Sequence, residues 1–229
     1  MGTNHTIKRN IFIFDVDGTL MDSRAGLQES MLAAIDSLGI ERPPLERVQA
    51  ALGGASFRSG ILSLVSLTEE QYQKANRVYG QTFSERGYLL ETAYDGVVEW
   101  IAALHQKGAR IFACSMRPKQ FSLPSLERDG LLPFIEDVWG PDFDQGRVHK
   151  HQVLAYRMQK LGIVPQEAVM IGDRNFDIIA GKAVGAATLA VRYGYAQPGE
   201  LEAEHPDAIV DTVEQAKQWT LQALSPHAE

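Results

Sequence analysis

Asp15 and Asp17 stand two residues apart, directly after the apolar run Ile11-Phe12-Ile13-Phe14, and are followed by Gly18 and Thr19. Two carboxylates this close repel one another unless a cation or a proton comes between them. The pair is suited to holding a metal, or to setting a nucleophile beside an acid/base group. An Asp-Gly turn closing a strand is the ordinary alternative. Ser115 follows a second apolar run, Ile111-Phe112-Ala113-Cys114. Its hydroxyl, with nearby backbone N–H groups, can hydrogen-bond a phosphoryl oxygen, or it can cap a helix. Lys150, between His149 and His151, opens a helical segment. A lysine there opposes the helix dipole, which a bound anion would offset; a solvated lysine is the alternative. Gly172-Asp173-Arg174-Asn175-Phe176-Asp177 follows Val169-Met170-Ile171 and adds two carboxylates four residues apart, about one helical turn. Oxygen donors of this kind suit Mg2+. The two histidines lack a third partner at zinc-ligand spacing and read as surface residues. Cys114 reads as a small buried hydrophobe rather than a nucleophile.

Three of these four points follow short apolar runs, and such runs indicate strands buried on both faces of a parallel sheet. Further strands are expected over Ala109 to Ala113, Val169 to Ile171, Ala187 to Val191 and Ala208 to Val210. Helical segments separate them: Gly96 to Lys107, His151 to Leu161, Ile178 to Val184, and a last helix from about Thr212. This alternation specifies an α/β fold with a doubly wound parallel sheet, in which functional groups gather beyond the carboxyl ends of the strands. The stretch from Ser23 to Glu91 breaks the rhythm. Leu27, Met31, Ala34, Ile35 and Leu38 recur at helical spacing up to Gly39, and further helices are expected over Leu45 to Leu52, Phe57 to Leu64 and Thr68 to Arg86. An all-helical insert after the first strand reads as a separate small module. The expected division is a core of residues 1–22 and 92–229 and a helical cap of residues 23–91.

The formal net charge is −7 and no long basic run is present, which argues against a nucleic-acid polymer as partner. A small phosphate ester remains compatible, because a local site can override the global field. A single cysteine allows no intrachain disulfide and fits a reducing, cytoplasmic setting. No apolar run reaches the roughly 18 residues of a spanning helix, so no membrane partner is expected, and a monomer or homodimer is. Gly2 with Thr6 fits a myristoylation pattern and Asn4-His5-Thr6 a glycosylation sequon; no second signal supports either, and the segment reads as a frayed tail.

Taken together, the four segments resemble the motifs of the haloacid dehalogenase-like (HAD) hydrolase superfamily. Asp15-Val16-Asp17-Gly18-Thr19-Leu20 is similar to its first motif, Ser115 to its second, Lys150 to its third and Gly172-Asp173-Arg174-x-x-Asp177 to its fourth. The insert is similar to the family's helical C1 cap, and Tyr94-Asp95-Gly96-Val97 to the return from cap to core. The run from Ile171 to Tyr195 resembles the phosphoglycolate phosphatase and 5′-nucleotidase-like branch. The resemblance implies that Asp15 attacks phosphorus to form an aspartyl-phosphate, and that Asp17 protonates the leaving oxygen and then activates water. It implies Mg2+ held by the Asp15 carboxylate, the Asp17 backbone carbonyl and Asp173, with Asp177 in support. Ser115 and Lys150 would bind the transferring phosphoryl oxygens, and Thr19, Met116, Arg117 and Arg58 are further expected substrate contacts, with a solvated side chain the alternative for Arg58.

The sequence departs from the family pattern at three places. Arg117 stands where lysine is frequent, Asp95 where proline is usual, and Ala180-Gly181 reverses the common order. The function implied is Mg2+-dependent hydrolysis of a small-molecule phosphate monoester. A phosphosugar mutase of the β-phosphoglucomutase kind is the alternative within the fold, and a non-catalytic binding module the alternative outside enzymology. A dehalogenase does not need the acid Asp17, and Lys74, the insert's one lysine, does not match the Schiff-base context of a phosphonatase.

Overall fold

Each expected apolar run forms a strand of one sheet. The computed structural model describes residues 9–54 and 56–224, so the Gly2/Thr6 and Asn4-His5-Thr6 patterns lie outside the described residues. The chain begins with β1 (Ile11–Phe14) and β2 (Met21–Asp22), then runs through four helices, α1 (Arg24–Ser37), α2 (Leu45–Ala51), α3 (Phe57–Leu64) and α4 (Glu69–Glu85). It returns through β3 (Thr92–Ala93) to α5 (Val97–Gln106), β4 (Arg110–Cys114), α6 (Lys119–Arg128) and β5 (Asp137–Trp139). There follow α7 (Lys150–Leu161), β6 (Ala168–Gly172), α8 (Asn175–Val184), β7 (Ala187–Val191), α9 (Glu200–Ala203), β8 (Ala208–Val210) and α10 (Val213–Leu224). The main sheet has six strands in the order β5-β4-β1-β6-β7-β8, all paired in parallel.

Alternation along β1 explains why helices cover both faces. Phe12 and Phe14 pack with Trp100 and Ile101 of α5 and with Ala216 of α10 on one side. Ile11 and Ile13 pack with Val153, Leu154 and Met158 of α7 on the other. The Trp100 ring meets Phe14 edge-on at 5.0 Å, and its N–H donates to the Thr220 hydroxyl at 2.8 Å. The buried indole therefore keeps its polar group satisfied.

The insert contains helices where helical periodicity places them, and they share an apolar cluster built from Leu27, Met31, Ile35, Val48, Ile61 and Phe83. Thr68 and Ser56 cap α4 and α3 by reciprocal side-chain and backbone bonds, the arrangement that satisfies first-turn N–H groups. Several elements fall outside the sequence expectation. The two-residue strands β2 and β3 pair antiparallel where the insert leaves and rejoins the sheet, and elements this short carry no period. Strand β5 is equally hard to read at three residues, and Pro124 interrupts the pattern of α6. No helix among the described residues is long and apolar enough to cross a membrane.

Helix α1 crosses the return segment closely at Gly26, where an added Cβ would lie 2.2 Å from the backbone oxygen of Gly87. Alanine within a helix gains up to about 1 kcal/mol over glycine, whereas overpacking against backbone costs about 1–3 kcal/mol. Gly26→Ala is therefore expected to lower stability by about 1–2 kcal/mol. Urea denaturation monitored by circular dichroism checks this, and a gain in stability would contradict the close crossing.

Candidate active site

Strand register brings the chemical groups to one edge. Phe14 of β1 sits opposite Ala113 of β4 and Ile171 of β6, so Asp15, Ser115 and Asp173 leave three neighbouring strands at the same end. From β1 the chain builds outward to β4 and β5, then returns to place β6 on the other side. That reversal creates a crevice at the carboxyl ends, the usual ligand site of such sheets.

Lys150, at the start of α7, is the centre of the arrangement. It is buried at 4% exposure, not solvated, and its Nζ lies 2.6 Å from Asp15 Oδ1 and 2.5 Å from Asp177 Oδ1. The second Asp177 oxygen accepts the Arg174 N–H at 3.0 Å, in a capping box at the start of α8. Asp173 accepts the Tyr195 N–H on Oδ2 at 2.7 Å and the Thr19 hydroxyl on Oδ1 at 3.1 Å. Gly18, with φ of 82°, makes the turn after β1, and a Cβ there would lie 2.2 Å from Asp173 Oδ2. Only a residue without a side chain lets these two strand ends approach.

Asp15, Asp173 and Asp177 offer one oxygen each within 4.8 Å of one another. Burial and the neighbouring carboxylates Asp177 and Asp17 push the Asp15 carboxyl up to about 7, against the pull of Lys150. Burial, followed by Asp15 and Asp177, raises Asp173 well above its ordinary range. Burial works against the Lys150 ammonium, yet Asp15 and Asp177 together hold its pKa above normal. Three buried carboxylates against one ammonium leave excess negative charge, and hard oxygen donors so placed suit a divalent cation that prefers oxygen ligands. This donor set fits the expected Mg2+.

The Asp17 side chain turns away from that cluster. Its Oδ1 accepts from Arg117 Nη2 at 2.8 Å, and its Oδ2 lies 3.4 Å from Ser115 Oγ. Ser115 Oγ in turn accepts the Arg117 N–H at 3.0 Å. Arg117 is buried, with Nη1 donating to Glu91 Oε1 at 2.7 Å and its guanidinium 4.6 Å from the Phe83 ring centre.

Several expected substrate contacts have other partners. Thr19 orients Asp173, and both terminal nitrogens of Arg117 are committed to carboxylates. Met116 is partly exposed beside Ser115. Arg58 is not brought to the cluster: it is half exposed, pairs with Glu69 at 2.7 Å and lies over the Tyr72 ring, all within the insert. The histidines at 149 and 151 are exposed, and their rings stack on each other. Burial pushes the Cys114 thiol up to about 12, as expected of a core residue.

Sequence reasoning missed three residues. Glu91 is fully buried against Arg117. Tyr195 closes over Asp173, accepts the Ser23 N–H on its hydroxyl at 2.7 Å, and packs with the insert's apolar cluster. Arg174 donates to the Gly53 carbonyl of the insert at 2.6 Å and to Glu200 at 2.8 Å. Arg174 sits inside a recognised motif and could have been singled out as a cation beside a carboxylate. Glu91 and Tyr195 carry no local signal, since their partners are distant in sequence.

The chain is similar to known proteins. A family model described as haloacid dehalogenase-like hydrolase matches residues 12–191. A phosphoglycolate phosphatase from Photobacterium profundum is 31% identical over 209 residues, covering 88% of this chain and 91% of its own. A 5′-nucleotidase from Pseudomonas aeruginosa is 27% identical over 194 residues, covering 85% and 87% respectively. The crystal structure of a predicted phosphatase from Clostridium acetobutylicum is similar with a TM-score of 0.86 at 26% identity, covering 93% of this chain and 99% of that one.

The raised Asp173 carboxyl has a consequence for stability. Its protonated form favours the fold; that contribution is complete below the unfolded value of 3.8 and is lost as pH rises through the higher folded value. Asp173→Asn keeps an oxygen for the Tyr195 N–H and removes the charge. In metal-free protein the variant is expected to exceed the wild type in stability at pH 8 by roughly 1–3 kcal/mol, and the difference should shrink toward pH 4. Melting temperatures of both proteins across this range, with and without Mg2+, check it; Mg2+ should raise the wild-type value far more than that of the variant.

Proposed function

The chain belongs to the haloacid dehalogenase-like hydrolases, and from that membership we propose that it is a Mg2+-dependent phosphatase hydrolysing a small-molecule phosphate monoester, phosphoglycolate phosphatase-like, through an aspartyl-phosphate on Asp15. The observation that carries the reading is the convergence of Lys150 on Asp15 and Asp177, with Asp173 beside them and Asp17 held apart. This separates a nucleophile from an acid/base group, as a two-step phosphoryl transfer requires.

In the first step Asp15 attacks phosphorus with the oxygen that Lys150 does not hold. The bond from phosphorus to the ester oxygen breaks, and Asp17 gives that oxygen its proton. In the second step Asp17 takes a proton from water as the water oxygen attacks the same phosphorus, and Asp15 leaves as a carboxylate with release of phosphate. Lys150 and the Ser115 hydroxyl hold phosphoryl oxygens while charge shifts between attacking and leaving atoms. Asp15, Asp173 and the Asp17 carbonyl, with Asp177 in support, would hold Mg2+, which supplies positive charge where an anionic nucleophile meets an anionic ester.

Residues 23–91 act in this reading as a cap over a core of residues 1–22 and 92–229. The separate apolar cluster of the helices supports that division, as do the bonds from Arg174 to Gly53 and from Ser23 to Tyr195. The relatives carry names for different esters, phosphoglycolate and a 5′-nucleotide. These define the first two classes to screen.

A panel of phosphate esters assayed with Mg2+ tests the proposal. Asp15→Asn is expected to lower kcat on the best ester on the order of 10³-fold or more. In isotopically labelled water, label should appear in the released phosphate. Turnover of no ester, or full activity in Asp15→Asn, would overturn the proposal. Ester isomerisation without label in phosphate would point to a mutase instead.

A further inference from the structure

Glu91 is the last residue of the helical insert before β3 and is fully buried. Burying a carboxylate costs several kcal/mol unless it is paired with good geometry. Its partner is Arg117, through one bond of 2.7 Å from Nη1. The other terminal nitrogen, Nη2, reaches Asp17 Oδ1 at 2.8 Å. The guanidinium thus spans two carboxylates that approach from different parts of the chain. Phe83 of α4 lies against its face, and its own backbone N–H is fixed on Ser115 Oγ. Arginine can do this because its donors form a rigid planar fork, whereas lysine presents a single point charge. Asp17 Oδ1 is committed to a cation, while Oδ2 makes a 3.4 Å contact with the Ser115 hydroxyl.

We propose that Glu91 is a positioning residue for the acid/base carboxylate: it anchors Arg117, and Arg117 fixes Asp17 Oδ1 so that Oδ2 carries the proton to and from the reacting oxygens. Without the Glu91 charge, Arg117 has one carboxylate instead of two and is free to swing toward the anionic ester. Asp17 then loses its orientation while Lys150, Asp15 and Asp173 keep theirs. Arg117 is accordingly held away from substrate by its two ion pairs, and its role is to aim Asp17. The inference rests on the proposed reading of Asp17 as the leaving-group acid.

That role makes the effect of Glu91 depend on the leaving group. An alkoxide needs a proton as it departs; p-nitrophenolate does not. A misaligned acid forfeits part of the roughly 10²–10⁴-fold that general acid catalysis contributes. The experiment measures kcat/KM of wild type, Glu91→Gln and Arg117→Lys with Mg2+, on p-nitrophenyl phosphate and on the alkyl ester turned over fastest in the screen. For Glu91→Gln the alkyl ester is expected to lose about 10–100-fold and p-nitrophenyl phosphate less than about 3-fold. Arg117→Lys, which keeps the charge but not the fork, should show the same unequal loss and carries the test if Glu91→Gln does not fold. Equal losses on both esters, or none on either, would overturn the role of Glu91 and leave the phosphatase standing. A wild type that hydrolyses neither ester would remove the phosphatase reading and this inference with it.

Discussion

The structure depends on one electrostatic constraint: carboxylates crowded at the end of a buried sheet must be kept compatible with a single ammonium. Lys150 touches Asp15 and Asp177 and is itself almost wholly buried. Its two bonds offset part of the desolvation of three groups, and the remainder appears as the raised carboxyls of Asp15 and Asp173. An arrangement tuned for stability would not collect acids this way. The imbalance stabilises whatever positive charge enters, which is the property a phosphoryl-transfer site needs.

The rest of the fold distributes the charges so that each acid has its own partners. Parallel strands of matched register bring Asp15, Ser115 and Asp173 to one edge. Tyr195 and Thr19 orient Asp173, and a helix N-terminus takes the second oxygen of Asp177. Asp17, only two residues from Asp15, is drawn away by Arg117 to a second ion-pair system that includes Glu91. The helical insert participates in both systems. It meets the loop after β6 through Arg174 and Gly53, and the Arg117–Asp17 pair through Glu91 and Phe83.

Much of this was legible in the sequence because the relevant signals are local. Apolar runs ending in polar residues locate strand ends, and helical periodicity from Leu27 onward identifies an insert without strands of the main sheet. Lys150 was visible as a cation at a helix start, although its burial was not. What the sequence leaves open concerns reach. Arg58 is an expected substrate contact, and in the structure it closes a surface pair with Glu69, only 11 residues away. Arg117 is likewise an expected substrate contact, and the structure pairs it with Glu91, which lies 26 residues upstream.

By itself the sequence determined the sheet, the insert and the identity of the acids at the strand ends and of the lysine at a helix start. Backbone periodicity and residue type act over a few positions and need no knowledge of the folded chain. Only the tertiary structure decided which acid meets which cation. Pairing depends on distances set by strand order and by the return of the insert, and Asp17 joins Arg117, while Asp15 joins Lys150, across separations of 100 and 135 residues. Asp15 and Asp17, two positions apart in the chain, therefore acquire different partners.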